Sequence, residues 1–173
     1  MIPKEATFHE VFEASEVAPL LRVRPEDIDS DVPIQIVSTG LPFVFVPLRS
    51  LDAVRRAAVV KEQWLEWVKD LPAKMVFLFC RQTLDPQNHI HARLFADYYG
   101  IAEDPATGSA NSCLVPYLVK YRYFGDDRID VRVEQGYEIG RPSLLYLKAQ
   151  ERDETIHVEV GGKVIMVAEG RLL

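Results

Sequence analysis

Residues 110–123 carry apolar side chains on nearly every side when they are drawn as an α-helix, with Pro116 inside the stretch. A helix that is apolar all round is enclosed by other elements rather than half-exposed on a surface. Strand-like segments follow it at residues 129–135, 143–149, 155–160 and 163–169. This order predicts an α+β fold in which a strongly curved sheet wraps one buried helix.

The part of the chain before this helix also divides into recognisable elements. Residues 33–39 and 42–48 predict a hairpin around a Thr-Gly-Leu connection. After the helix, Gly161-Gly162 predicts a second, two-residue hairpin turn between the last two strand-like segments. The other predicted elements are a short helix at 15–23 that begins at Ser15, helices at 52–60 and 62–70, and strands at 74–81 and 89–95. We expect residues 1–173 to form a single domain.

Composition excludes several classes of protein. The 26 acidic and 20 basic residues give a net charge of −6, which disfavours nucleic acid as a partner. Cys80 and Cys113 alone support neither a zinc site nor a disulfide framework, so no metal is expected. Apolar runs fall far short of the roughly 20 residues that a membrane span needs, and the charged first fifteen residues do not resemble a signal peptide. We therefore expect a cytoplasmic protein that does not interact with membranes.

Candidate chemistry is concentrated in GIAEDPATGSA at residues 100–110. Glu103 and Asp104 are adjacent carboxylates, and Thr107 or Ser109 is placed to cap the helix that follows. Free backbone N–H groups at a helix start bind anions, and a neighbouring carboxylate can exchange a proton with a bound acid. The alternative interpretation is a capped helix start with an acidic first turn, which needs no ligand.

Three sequence blocks, in this order and spacing, resemble the C-terminal lobe of the PhzF-like family. They are GIAEDPATGSA, EQGYEIGRPS at residues 134–143 and VEVGGKVIMVAEGRL at residues 158–172, and the STG at residues 38–40 extends the resemblance. The family is named for a phenazine-biosynthesis isomerase and shares the diaminopimelate epimerase fold of two similar lobes. The resemblance implies one such lobe here, a curved, barrel-like mixed β-sheet around a central buried helix at residues 110–123.

The resemblance also implies a site and a reaction. It implies an isomerase or epimerase that moves a proton on a small carboxylate with no cofactor and no metal. The matching positions make Asp104 the catalytic acid, and Gly108, Ser109 and Ala110 the residues whose amides and hydroxyl hold the substrate carboxylate.

One departure from the family pattern is large. The Ser-Glu-Thr glutamate and the Gly-His helix start of the family's N-terminal lobe have no counterpart, because Ser15-Glu16 is followed by Val17. We therefore expect half an enzyme that is incomplete without an N-terminal lobe. The alternative is a non-catalytic remnant or an oligomerising small-acid-binding domain. An apolar face left uncovered favours a homodimer or higher homo-oligomer, or a separate N-terminal lobe as partner.

Other candidate residues have weaker signals. His89 and His91 alternate on one predicted strand and are interpreted as surface or structural histidines rather than metal ligands. Cys113 is interpreted as a small hydrophobe of the buried helix, although epimerase relatives use a cysteine near this point. Arg141 is placed to pair with Glu134, Glu138 or a substrate acid, and a structural role in a turn is favoured.

Overall fold

The computed structural model describes residues 5–152 and 155–170 and builds them around one nine-stranded mixed sheet. Its spatial order is β1-β2-β3-β4-β5-β7-β8-β9, with β6 pairing on β5. The β3–β4 and β5–β7 pairs are parallel and the others are antiparallel. The strands are β1 Thr7–Phe12, β2 Ile34–Ser38, β3 Pro42–Pro47, β4 Val76–Cys80, β5 Ile90–Ala96, β6 Ile101–Asp104, β7 Arg128–Gln135, β8 Ser143–Arg152 and β9 Thr155–Gly162.

The described residues also form four α-helices: α1 Ala14–Val17, α2 Leu51–Arg56, α3 Lys61–Val68 and α4 Gly108–Lys120. Short 3-10 segments cover Ala18–Leu21, Pro25–Asp27 and Asp97–Tyr99. None of the helices in the described part of the chain is long and apolar enough to cross a membrane.

Helix α4 is the element that the sheet encloses. It touches β2, β3, β7, β8 and β9, and nine of its residues are buried, including Pro116. The Tyr117 ring stacks on Phe45 of β3 at 5.7 Å between centroids and meets Phe79 of β4 edge-on at 5.8 Å. The predicted curved sheet around a central buried helix is therefore confirmed, with the helix starting two residues earlier and ending at Lys120.

The convex face of the sheet carries a second core. Alternation along β3 sends Phe43 and Phe45 toward α4, while Val44 and Val46 join the cluster beneath α1, α2 and α3. Strands β2 to β5 are therefore buried on both faces, which explains the nearly continuous apolar runs of β3 and β4. Strands β2 and β5 alternate in sequence, yet their polar residues Gln35, His91 and Arg93 are buried as well. Strand β7 instead alternates between exposed and buried residues over its first half.

The predicted hairpin turn at Gly161-Gly162 is wrong. Strand β9 continues through both glycines, because Gly161 and Gly162 pair with Tyr146 and Leu145 near the start of β8. Strand β8 also runs to Arg152, three residues beyond its predicted end. Residues that pair with β8 in a ladder cannot also form a two-residue turn between two other strands. The strand predicted at residues 163–169 is also wrong, because these residues have no ladder and expose Val164, Ile165, Met166 and Val167.

Other differences have local causes. Strands β1 and β6 were not predicted, since both are largely exposed and lack a clean alternation. The helix predicted at 52–60 ends at Arg56, because the Ala58 and Val60 amides instead donate to the carbonyls of Leu21 and Leu20. The first short helix begins after Glu13 rather than at Ser15.

Candidate active site

The two adjacent carboxylates of the 100–110 block lie on opposite faces of β6. Glu103 receives two hydrogen bonds from the Arg93 guanidinium, at 3.0 and 2.7 Å, on the convex side. Asp104 is half-buried, and its Oδ2 accepts a hydrogen bond from the Thr107 hydroxyl at 2.5 Å. Alternation along the strand thus separates the pair, so that only Asp104 lies beside the start of α4.

The start of α4 keeps its backbone donors available. Thr107, one of the two predicted capping residues, occupies the N-cap position, and Ser109 lies in the first turn. The predicted side-chain cap is wrong, because the Thr107 hydroxyl donates to Asp104 and not to the helix. Within the described residues, the amides of Gly108, Ser109 and Ala110 find no acceptor. Gly108 and Ser109 are exposed and Ala110 is buried. The helix start therefore has the unpaired N–H groups that an anion site requires.

A network of buried side-chain amides holds the loop between β6 and α4. Gln135, at the end of β7, is fully buried and donates to the Asp104 carbonyl at 2.8 Å and to the Thr107 hydroxyl at 3.1 Å. The Asn111 amide donates to the Thr107 carbonyl at 2.9 Å and to the Gln135 side-chain oxygen at 3.2 Å. Sequence reasoning missed both amides as site residues, and the signal for Asn111 was an amide inside an otherwise apolar helix.

Gly136 allows the loop that carries Asp104 to pack closely against the turn after β7. Its φ is +80°, and a Cβ there would lie 2.5 Å from the Arg141 carbonyl oxygen and 2.9 Å from the Pro105 Cα. Only glycine fits this close approach of backbones. The Gln-Gly pair at the end of β7 thus fixes the height and the orientation of the loop that carries Asp104.

A groove of about 600 Å³ lies between the start of α4 and the adjoining ends of β8 and β9. Its walls are mostly apolar side chains and backbone: Ala106, Gly108, Pro142, Ser143, Leu144, Leu145, Val160, Gly161, Gly162, Lys163 and Ile165. The groove therefore adjoins the helix start at Gly108.

His91 belongs to a charged cluster on the convex face, away from Asp104. It is fully buried, with Nδ1 2.7 Å from Glu134 Oε1 and Nε2 3.0 Å from Glu138 Oε1. Burial by itself lowers the pKa of His91, but the hydrogen bonds to Glu138 and Glu134 outweigh it and raise that pKa. A carboxylate at each ring nitrogen therefore favours the cationic form of the ring.

His89 does not share this environment. It is exposed, and its Nδ1 accepts a hydrogen bond from the Arg132 amide. Among the described residues, no three metal-ligating side chains converge.

Two residues with weaker sequence signals have structural contacts. The buried Cys113 sulfur accepts a hydrogen bond from the Thr39 amide at 3.2 Å, so it ties α4 to the β2–β3 loop, and burial raises its pKa. Within the described chain, Arg141 forms no ion pair; the basic side chains near Glu138 are His91, Arg55 and Arg93. The Arg141 amide donates to the Gly136 carbonyl at 2.9 Å, which is a contact within the turn.

A family model described as phenazine biosynthesis-like protein matches residues 4–170, which include every residue of the site described above. The chain belongs to the phenazine biosynthesis-like family. This confirms the predicted family. Its solved relatives include the Bacillus anthracis phenazine biosynthesis protein of the PhzF family, at a TM-score of 0.86 and 28% identity, covering 100% of this chain and 60% of that one.

Curated relatives of this phenazine biosynthesis-like chain are isomerases by name. An uncharacterized isomerase of Bacillus subtilis is 31% identical over 160 residues, which cover 91% of this chain and 53% of that protein. Trans-2,3-dihydro-3-hydroxyanthranilate isomerase of Pseudomonas aeruginosa is 34% identical over 143 residues, covering 82% of this chain and 48% of that enzyme. The chain thus spans about half the length of the curated relatives it matches.

The four predicted site residues of this family member lie together. Asp104 ends β6, and Gly108, Ser109 and Ala110 form the first turn of α4, with Thr107 linking the two parts. Their roles as acid and carboxylate holders stay predictions.

Proposed function

We propose that the chain carries the acid-bearing half of an active site that isomerises or epimerises a small carboxylate, using side-chain proton transfer without a cofactor or metal. One observation supports this most: a half-buried carboxylate, Asp104, lies beside unpaired amides at a helix start that opens on a groove. An anion held by those amides would lie within reach of an acid–base group.

Each part of the site has a distinct role in this proposal. The amides of Gly108, Ser109 and Ala110, with the Ser109 hydroxyl, bind the substrate carboxylate, and the positive end of the α4 dipole favours its charge. Asp104 gives a proton to, or takes one from, the neighbouring carbon. Negative charge that develops on the carboxylate as a C–H proton leaves would be stabilised by the same amides.

Moving a proton from one carbon to another needs a second acid–base group. His91 cannot supply it within this chain, because both its ring nitrogens are bonded to carboxylates on the convex face. The relatives are about twice as long, so we assign the second group to a separate N-terminal lobe or to another copy. The buried free thiols of Cys80 and Cys113 support a cytoplasmic location, which cell fractionation would test.

Small anions are expected to bind at the start of α4. Titration with acetate or sulfate should give saturable ¹⁵N–¹H shift changes at Gly108, Ser109 and Ala110 in the millimolar range, while the distant Gly125 amide stays fixed. Ser109→Ala should weaken acetate binding about threefold to tenfold, the worth of one hydrogen bond. Ser112→Ala, one turn further along α4, is the matched control. No shift at these amides at millimolar ligand would contradict the site.

Self-association is the second part of the proposal. Val164, Ile165, Met166 and Val167 form a contiguous exposed apolar stretch that follows β9, the last strand of the sheet. Contiguous exposed apolar surface and open strand edges favour association. Light scattering is expected to report a dimer or larger species. A strictly monomeric mass at high concentration would refute this part.

A further inference from the structure

A chain of hydrogen bonds that all run in one direction ends on the candidate catalytic carboxylate. From it we infer that Gln135 is a positioning residue, acting through Thr107, that orients Asp104 and leaves one carboxylate oxygen free for proton exchange. This inference rests on the proposed function for its purpose, but the chain of bonds is testable by itself.

The direction of the chain is fixed first at Gln135. Its Oε1 accepts from the Thr107 amide at 3.4 Å and from Asn111 Nδ2 at 3.2 Å. Its Nε2 donates to the Asp104 carbonyl at 2.8 Å. A flipped amide would set N–H against N–H and oxygen against oxygen, so only one orientation satisfies all these partners.

Asn111 is held in one orientation as well. Its Nδ2 donates to the Thr107 carbonyl and to Gln135, while its Oδ1 is buried and has no partner among the described residues. A buried acceptor without a donor is unfavourable. Turning the amide to relieve it would put that oxygen against two other acceptors, so the network keeps the donor side toward Gln135.

Thr107 passes this direction on to Asp104. Because the amide Nε2 of Gln135 can only donate, the Thr107 hydroxyl accepts from it at 3.1 Å. The single hydroxyl proton is then available for Asp104 Oδ2, at 2.5 Å. Gln135 therefore decides that Thr107 donates to the carboxylate rather than to another acceptor.

The result is an asymmetric carboxylate. Oδ2 is occupied by Thr107, and the described residues offer Oδ1 no hydrogen bond. Since Gln135 also binds the carbonyl of Asp104, one buried amide fixes both the backbone and, through Thr107, the side chain. In the proposed reaction, Oδ1 is the oxygen that exchanges a proton with the substrate.

The test is the infrared carboxylate band of Asp104, read by ¹³C-aspartate labelling and identified by its absence in Asp104→Asn. Thr107→Val, which removes the hydroxyl at nearly constant shape, should shift the band, and Thr107→Ser should restore it. Gln135→Glu, which replaces the donor by an acceptor, should shift it in the same way as Thr107→Val. Thr107→Val carries the test if Gln135→Glu does not fold.

The inference is overturned if the band of Thr107→Val equals that of the parent, or if folded Gln135→Glu leaves it unmoved. A merely structural role would change the unfolding midpoint without this pattern of loss and rescue. Acetate titration of the same samples separates the two ideas. Shifted bands without acetate binding at Gly108 refute the proposed function alone, while acetate binding with unmoved bands refutes the positioning role alone.

Discussion

His91→Gln is expected to destabilise the chain by about 3 to 5 kcal/mol, the usual cost of removing one partner from a buried ion pair. His91 and Glu134 have fully buried side chains, and Glu138 is only 11% exposed, so water cannot replace the contacts that the ring makes to the two carboxylates. Arg55 and Arg93 approach only Glu138, each at 3.9 Å, so Glu134 would keep no cation. Urea unfolding at pH 6 measures this change. His89→Gln, two residues earlier and exposed, should stay within about 0.5 kcal/mol of the parent. Equal losses in the two variants would contradict a buried cation.

The same cluster predicts a pH dependence with a definite sign. The pKa of His91 is raised above its usual 6.5, so its contribution to stability is complete below that pH and is lost as the pH rises through the folded value. Burial by itself raises the pKa values of Glu134 and Glu138, but their hydrogen bonds lower both below the usual 4.5. Their contribution is therefore present above about pH 4.5 and is lost as the pH falls through the folded values.

Unfolding measured from pH 4 to 9 should accordingly show the cluster contributing most between about 4.5 and 6.5. His91→Gln should remove the decline on the alkaline side of that window. An alkaline decline that persists unchanged in the variant would show that another group causes it.

The chain alone is expected to show no solvent deuterium incorporation above background into trans-2,3-dihydro-3-hydroxyanthranilate, the compound in the name of the Pseudomonas aeruginosa relative. Each general acid or base contributes roughly a hundred- to ten-thousand-fold, and only within hydrogen-bond reach of the reacting proton. In the proposed reaction, Asp104 of this chain is one acid–base group, and the second group belongs to a separate N-terminal lobe or to another copy. Mass spectrometry of the compound after incubation in D₂O is the measurement.

Adding a separately expressed N-terminal half of that relative should restore exchange, and Asp104→Asn should then abolish it. Asp130→Asn changes an exposed carboxylate on β7 and is the matched control. Strong exchange by the chain alone, lost in Asp104→Asn, would show that two copies suffice without a second lobe. Acetate binding without exchange in any mixture would instead favour a non-catalytic small-acid-binding domain.

The sequence predicted well the features that depend on consecutive residues. The all-round apolar pattern of residues 110–123 required an enclosing sheet, and the 100–110 block placed Asp104 against a helix start. Networks between distant segments could not be read in this way. His91 and Glu134 are 43 positions apart, and Gln135 reaches Thr107 across 28. Nothing local distinguishes these side chains from exposed polar residues until the β5–β7 pairing brings them together.

The turn predicted from Gly161 and Gly162 was wrong because pairing with a neighbouring strand determines the conformation of these residues. Two consecutive glycines predict a tight turn, yet Gly161 and Gly162 continue β9 because Tyr146 and Leu145, near the start of β8, lie opposite them and pair with them. The register between two strands is a property of the assembled sheet and is not encoded at the glycines themselves.

The enclosure of α4 also constrains how the chain reaches its native state. The Tyr117 hydroxyl donates to the carbonyl of Pro33, 84 positions earlier, while the other side of the helix is covered by β8 and β9, which are synthesised later. Loops of this length cost closure entropy before any contact rewards them. Helix α4 therefore stays exposed until the segments on both of its sides are in place. Refolding should be slow and concerted, a single late phase in stopped-flow fluorescence, and a nascent chain that ends before β8 would expose its most apolar helix to aggregation.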